Sequence, residues 1–386
     1  MAKLGRILVL GGGIGGLSSA IALRVAGFRV EVFEQSAELR EAGAGVGLWS
    51  NAMASLQQLG VGDAIRASCV PLRTLAGSNA QGRNLSLITL EALGPEFASA
   101  ACFVVLRPVL LAALADRLPK ECIHTGSRVT RVEVLDDRVR LHLEGERFED
   151  GDLLIGADGL HSIVRPLVVG EDRLRYSGQT CFRGVARLCV KEADTLREIQ
   201  GRGQRGAVCP VDLETVYWWA AHNAPVGKIL EPQARKAHLL SRYQGWPFGL
   251  HDAISATPGE AILQNDLMDR PPADTYARGR VVLIGDAAHP TTPNLGQGAN
   301  MAIDDAIALA RSLRDEMNVS AAWERFQRER LPRTRQIVQR SWSFGQMCLW
   351  ESTWAVWLRE LMVRLTPQSV LRGLLRAQLL ESVGQL

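Results

Sequence analysis

Three short glycine-bearing stretches of this 386-residue chain carry residue types suited to holding a nucleotide. The first is Gly11-Gly12-Gly13-Ile14-Gly15-Gly16, which fits GxGxxG at Gly11, Gly13 and Gly16. In such a turn the first glycine permits a tight bend, the second lets backbone approach a diphosphate, and the third allows helix to lie close to strand. A helix beginning there meets an anion with open N–H groups and the positive end of its dipole, an attraction of about 0.3–1 kcal/mol. Glu34, twenty-one positions past Gly13, can accept hydrogen bonds from ribose hydroxyls. Alone, GxGxxG is weak evidence and a carboxylate at a strand end is an ordinary solvated group. Together, between a strand and a helix, they read as dinucleotide binding.

The second stretch is Asp158-Gly159-Leu160-His161-Ser162-Ile163-Val164-Arg165, a DGxxSxVR turn that follows an apolar strand. The third runs from Gly279 through Gly285-Asp286-Ala287-Ala288-His289-Pro290, then through Pro293-Asn294-Leu295-Gly296-Gln297-Gly298-Ala299-Asn300, into a helix expected from about Met301. At a strand end, Asp286 can bind ribityl or ribose hydroxyls. The glycine loop and helix start present N–H groups suited to the electron density of a reduced isoalloxazine. Either stretch alone reads as an ordinary β-turn-α connection. Three glycine-punctuated strand ends over nearly 290 residues are hard to reconcile with coincidence.

These turns need elements to position them. Ile7 to Leu10 is a short apolar run, Leu17 to Ala26 reads as a buried helix that Gly27 can end, and Val30 to Glu34 as a second strand. That βαβ opening places a ligand at the carboxyl ends of parallel strands. The middle is strand-rich: Val129–Val134, Val139–Leu143, Leu153–Ile155, Phe182–Cys189 and Val216–Ala221. From Asp304 the pattern turns helical, through Ala306–Leu313 and Ala321–Arg330 to a tail holding four of the nine tryptophans. There Trp354, Trp357, Leu358, Leu361 and Leu365 share a helical face, and Val370, Leu371, Leu374, Leu375 and Leu379 form another. The simplest expectation is a helix pair packed onto the core, with membrane-surface contact or a dimer interface as alternatives.

Composition excludes several classes. A chain with 47% hydrophobic and 22% charged residues is ordinary for a globular protein, and a net charge of +3 leaves no nucleic-acid footprint. Seven cysteines with no CxxC pair point to reduced thiols, and no metal site is visible. Lys3 and Arg6 are the only basic residues before the first strand, and no apolar stretch with a small-residue cleavage site appears, so a cytoplasmic location is expected.

In its triple combination the sequence resembles the para-hydroxybenzoate-hydroxylase-like (class A) flavoprotein monooxygenases, especially their salicylate-hydroxylase, urate-hydroxylase and zeaxanthin-epoxidase relatives, over residues 5–345 or so. The resemblance implies an α/β fold. A Rossmann-like FAD-binding domain of the GR2 type (1–72, 98–168, 272–335) would carry an inserted β-sheet substrate domain (73–97, 169–271) and C-terminal helices (336–386). It implies that Gly11, Gly13, Ile14, Gly15 and Gly16 hold the FAD diphosphate, with Glu34 and Gln35 at the adenosine ribose. Arg40, Gly45 and Gly47 match a segment lining the cofactor, Arg107 an arginine reaching the flavin side chain, and Val129 a backbone position near adenine. Asp158 and Arg165 match a motif tied to both FAD and NAD(P)H, Asp286 the ribityl contact, and Pro293 with Gly296, Gln297, Gly298, Ala299 and Asn300 the loop beneath the flavin ring. Ser50 where relatives carry proline, Asp304 for glutamate and Tyr276 for tryptophan depart from the pattern.

The implied reaction is transfer of one oxygen atom from O2, through a C4a-hydroperoxyflavin, to an aromatic or polyene small molecule, with NAD(P)H docking transiently as reductant. Hydroxylation is favoured over epoxidation. A base able to deprotonate a phenol would help. On the strand Val216–His222, alternation sends Tyr217 and Trp219 to one face and Trp218 and His222 to the other. Tyr217, His222 and Arg183 are the candidates; His161 and His289 read as turn-shaping residues. A reductase or cyclase of the same superfamily, or a flavin-binding redox sensor, are the rival readings. A halogenase is disfavoured, as no WxWxIP segment occurs.

Overall fold

In a computed structural model describing residues 5–39, 45–94, 97, 102–379 and 384–386, the first apolar run becomes the strand Ile7–Leu10 at the heart of a six-stranded sheet. The order is Ala277–Arg278, Val281–Leu283, Leu153–Gly156, Ile7–Leu10, Val30–Phe33, Ile123–His124, parallel except for the first pair. Ile7–Leu10 and Val30–Phe33 are buried at every residue, the signature of a sheet covered on both faces. The helix Ile14–Val25 packs against the helix Gly298–Asp315, which starts three residues before the expected Met301.

Gly11 and Gly16 set the entry to that first helix. Gly11 has φ +108°, and a side chain on it would meet the Ala157 carbonyl oxygen at 2.3 Å. A Cβ on Gly16 would lie 1.9 Å from the Gly11 carbonyl oxygen. The glycine turn, the helix and the strand Leu153–Gly156 are therefore locked in one close contact that no other residue type admits.

A second, seven-stranded sheet takes its strands from 74–89 and from 175–269. Its order is Leu263–Asp269, Arg175–Arg187, Thr215–Asn223, Gln204–Pro210, Thr195–Gln200, Thr74–Asn79, Asn84–Thr89. Arg175–Arg187 begins seven residues before the expected Phe182, and its pairing with Leu263–Asp269 shifts register between Tyr176 and Thr180, where Gly178 has φ +89°. The helices Pro232–Arg242 and Leu250–Ala256 lie on one face of this sheet, with Leu239 and Leu250 packed over Phe182 and Trp218. A three-stranded sheet of Gly45–Leu48, Cys102–Leu106 and Pro71–Leu72 stands beside both larger sheets.

The expected helix Ala321–Arg330 extends instead over Val319–Cys348 and runs through Pro332. Proline removes one N–H, but burial of Phe326, Ile337 and Val338 on either side holds the element together. The tail follows as Thr353–Leu365 and Gln368–Leu379. Its expected packing is half realised. Val356, Arg359 and Leu379 turn inward, while the face shared by Trp354, Trp357 and Leu365 points to solvent. Spacing alone does not say which side of a helix is covered.

One buried carboxylate ties the layers. Asp305, on Gly298–Asp315, accepts from the Gly285 N–H at 2.9 Å and from Arg330 Nε at 2.7 Å, and lies 2.6 Å from His289 Nε2. All three side chains are at most 1% exposed. Burial by itself would raise the Asp305 pKa, but His289, Arg330 and the backbone N–H more than offset it and hold the carboxyl at about 2, against an ordinary 3.8. A depressed folded-state pKa stabilises above the unfolded value and loses that contribution as pH falls through the folded one. Asp305→Asn should lower unfolding stability by about 3–5 kcal/mol at neutral pH, since Arg330 stays buried without its carboxylate. Urea unfolding of both proteins should show the gap narrowing between pH 4 and pH 2; a gap constant over that range would contradict the assignment.

Candidate active site

An open α/β sheet of this kind has its ligand groove outside the carboxyl ends of the parallel strands, where the glycine turns of this chain gather. The helix Ile14–Val25 opens onto it with neither a side-chain cap nor an acidic residue in its first turn, and a Cβ on Gly13 would meet nothing within 4 Å. That end of the groove thus offers backbone N–H groups and space, with no acidic side chain from the helix's own first turn. Glu34 stands beside it. Its Oε2 accepts from the Gly12 N–H and its Oε1 from the Ser36 N–H, each at 2.7 Å, which fixes the carboxylate at the end of its strand. Gln35 is exposed alongside, and Val129 begins the strand that follows Ser127, whose N–H donates to the Glu34 carbonyl. Arg40 lies outside the described residues.

A second uncapped helix meets the groove further along. Gly298–Asp315 also has no side-chain cap and no acidic residue in its first turn. A Cβ on Gly298 would lie 3.9 Å from Asp286 Oδ1, so the carboxylate sits at that helix entrance. Asp286 is exposed to the groove but closely walled by protein, and this desolvation raises its pKa; His289 and the facing Arg107 act in the opposite direction. Arg107 opens the helix Arg107–Ala115 after the strand Cys102–Leu106. Gly15 is close to the same place, with a Cβ there 3.3 Å from Ala302 Cβ.

Other motif residues face the protein instead. Arg165, 2% exposed, donates through Nη1 to the carbonyls of Ala287 and Ala288 and through Nε to Asp172. Asp158 accepts from Ser162 Oγ at 2.6 Å and from the Ile163 N–H at 2.8 Å. Asp158 therefore closes the DGxxSxVR turn on itself, and Arg165 splices that turn to the Asp286 turn. Asn300 accepts from the Trp49 N–H and donates to the carbonyls of Gly47 and Gly296, all at 2.8 Å. Gln297, 1% exposed, donates to the Gln378 carbonyl in the tail. Pro293, Gly296 and the strand of Gly45 and Gly47 are thereby held on one side of a cavity of about 450 Å3.

That cavity extends from the groove to the second sheet, and its wall is mostly apolar: Trp49, Leu75, Ile88, Val104, Leu196, Trp219 and Leu267 contribute. Phe344 of the long helix and Val363, Leu371 and Leu375 of the tail complete it. Tyr217 and Trp219 point inward, and Tyr217 packs so closely on Gly45 that a Cβ there would lie 2.3 Å from its Cγ. Burial raises the Tyr217 pKa, so its phenol stays protonated and can donate. Arg183 lines the same wall; its guanidinium is charged despite burial, with Cys181 and Tyr217 beside it.

His222, expected as a candidate base, stands apart from the site. It lies on the opposite face of the sheet with Trp218, stacked on Phe182 at 5.3 Å and 3.2 Å from His238 Nε2, and does not line the cavity. Burial first, then Arg242 and His238, lower its pKa to about 3, so it is neutral and structural.

Glu198 and Arg205 emerge only from the structure. They extend from adjacent strands into the cavity and pair at 3.6 Å, and Arg205 lies over the Trp219 ring at 5.2 Å. Burial raises the Glu198 pKa against the pull of Arg205. Arg205 also donates to Asn294 Oδ1, while Asn294 Nδ2 donates to Thr292 Oγ1 and the Ser341 carbonyl. Gly345 leaves room for that amide, since a Cβ there would come within 2.4 Å of Asn294 Nδ2.

Comparison with known proteins matches this geometry. A family model described as an FAD binding domain covers residues 5–341. The chain is 37% identical over 360 residues to the aurachin C monooxygenase/isomerase of Stigmatella aurantiaca, covering 93% of this chain and 94% of that protein. It is 34% identical to the 2-heptyl-3-hydroxy-4(1H)-quinolone synthase of Pseudomonas aeruginosa, covering 98% and 99%. The crystal structure of Klebsiella pneumoniae HpxO with FAD and uric acid superposes with a TM-score of 0.89 at 28% identity, over 97% of this chain and 96% of that one. With two uncapped helix ends and an acidic turn along one groove, an open face at Gly13 and a mostly apolar cavity beside it, the chain belongs to the FAD-binding family of class A flavin monooxygenases and is an FAD-dependent monooxygenase that takes NAD(P)H as reductant.

Proposed function

We propose that the substrate is a fused heteroaromatic ring carrying an ionisable oxygen or N–H and an apolar side chain, and that the enzyme hydroxylates the ring. The carrying observation is the cavity itself. Its three charged lining residues, Arg183, Glu198 and Arg205, sit within an apolar wall that continues to Val363, Leu371 and Leu375. A small, fully polar substrate such as a purine would leave that far wall uncovered. A ring with an alkyl chain fills both ends. The quinolone named for the Pseudomonas relative has this form.

The chemistry FAD supplies when bound is two-electron activation of O2 after reduction by NAD(P)H. In this reading Gly13 and the helix after it hold the diphosphate, Glu34 with Gln35 the adenosine ribose, Asp286 and Arg107 the ribityl chain, and Gly45, Gly47 and Pro293 to Gly298 the ring. Asp158, Arg165, Gln297 and Asn300 keep those backbones in place. Glu198, the one carboxylate among the cavity-lining residues, takes a proton from the substrate hydroxyl or N–H. Its raised pKa brings it nearer the range in which a carboxylate is an effective base. The Arg183 charge and the neutral Tyr217 hydroxyl stabilise the resulting oxyanion, enriching the ring carbon that receives the oxygen. The tryptophans and tail leucines exclude water.

NAD(P)H consumption by the FAD-loaded enzyme should rise with 2-alkyl-4(1H)-quinolones and not with urate, and one atom of 18O2 should appear in the product. Stimulation without label incorporation would favour a reductase, and preference for urate would reject the substrate class.

Glu198→Gln should reduce kcat about 100-fold at neutral pH while FAD content is unchanged. The wild-type kcat should fall in acid through a group titrating above an ordinary glutamate, and the variant should lack that limb. A variant that keeps it would remove Glu198 from the proton transfer.

A further inference from the structure

We propose that the outer face of the helix Thr353–Leu365 is a membrane-docking surface that rests on an anionic lipid bilayer. Trp354, Trp357, Met362 and Leu365 are 70%, 62%, 52% and 70% exposed. The next helix, Gln368–Leu379, adds Val370 and Leu374 at 48% and 52%. Of seventeen large hydrophobic side chains exposed among the described residues, these six fall within twenty-one positions. Scattered exposed apolar residues are normal; a contiguous helical face of them is not.

The orientation of this face is anchored. Arg359, 4% exposed, donates to the Gly201 and Met347 carbonyls from the opposite side of the helix, and Val356 is buried with it. Trp354, Trp357, Leu361 and Leu365 follow the i, i+3, i+4 pattern on the side away from Arg359, so the helix cannot roll them inward without tearing out a buried guanidinium.

The chemistry of the face selects its occupant. Tryptophans at the rim of an apolar helical stripe suit the interface between headgroups and acyl chains, where one edge of the indole is apolar and the other wet. Arg364 and Arg372 are exposed, and the helices' only described acid, Glu360, is half-buried and paired with Arg83. The charge thus complements anionic headgroups. No helix among the described residues is long and apolar enough to cross a membrane, so contact would be along the surface. The inner sides of the same two helices, through Val363, Leu371 and Leu375, form a wall of the cavity. A lipophilic molecule dissolved in the bilayer would thereby lie one helix thickness from the site. The docking does not depend on the identity of the substrate, because it is read as binding.

The test is sedimentation of the FAD-loaded full chain with phosphatidylcholine vesicles, with and without phosphatidylglycerol. The protein should sediment with the mixed vesicles and bind neutral ones more weakly. Trp354→Ala/Trp357→Ala should reduce partitioning about tenfold or more, and Arg364→Gln/Arg372→Gln should cost about fivefold per arginine on anionic vesicles only. FAD content and thermal midpoint should be unchanged in both variants, which separates lost docking from lost folding. A wild-type protein that stays in the supernatant with both vesicle types, or tryptophan variants that sediment equally well, would overturn the proposal. Light scattering would then show whether a second copy covers the face.

Discussion

The arrangement of this enzyme hinges on two adjacent carboxylates that face different neighbours of one helix. Asp305 binds the Gly285 N–H, His289 and Arg330, and so fixes the acidic turn and the long C-terminal helix. Asp304 accepts from Asn51 Nδ2 at 2.8 Å and Ser55 Oγ at 2.7 Å, and so fixes the helix that follows the Gly45–Leu48 strand. Buried charge is costly unless fully partnered, so displacing any attached wall leaves a carboxylate exposed to low-dielectric surroundings. The acidic turn, the long helix and the helix Ser50–Gln58 are thus all tied to neighbouring residues of a single element.

That rigidity suits the electrostatics of the groove. Two helix ends without caps leave partial positive charge directed at the same channel, and the two carboxylates that border it are placed where hydroxyls, not phosphates, are expected. Glu34 is kept in position by two backbone N–H groups and Asp286 by its walls. The sites for anion and for sugar are distinct in charge before any ligand enters.

Much of this was legible in residues. Ile7–Leu10 and the glycines after it announce a buried strand and a close turn, because apolar continuity and absent side chains each have one plain structural use. The strand Thr215–Asn223 was only half legible. Both of its faces carry aromatic side chains, so alternation separated Tyr217 from His222 without saying which met the cavity. Packing of the helices Pro232–Arg242 and Leu250–Ala256 over the Trp218 side decides it. Glu198 and Arg205 left no trace in sequence, since their meeting depends on strand pairing around the turn at Gly201 and Gly203, not on a motif. Arg165, Gln297 and Asn300 teach a different lesson. A recurrent pattern marks residues a fold requires, yet their polar atoms here reach backbone carbonyls and amides within the protein.

Asn294 carries a consequence for how sequences of this kind can drift. Its carbonyl oxygen serves Arg205 in the cavity while its amino group serves Thr292 and Ser341 behind it, so both ends of a three-atom amide are spoken for. Aspartate would lack the donor, serine the reach, and glutamine would carry an extra methylene into space already ceded by Gly345. The cavity wall and the ring-side loop can therefore diversify only around a shared hinge-pin of fixed size and polarity, and substitutions that retune one surface must leave that pin intact or reshape the other with it.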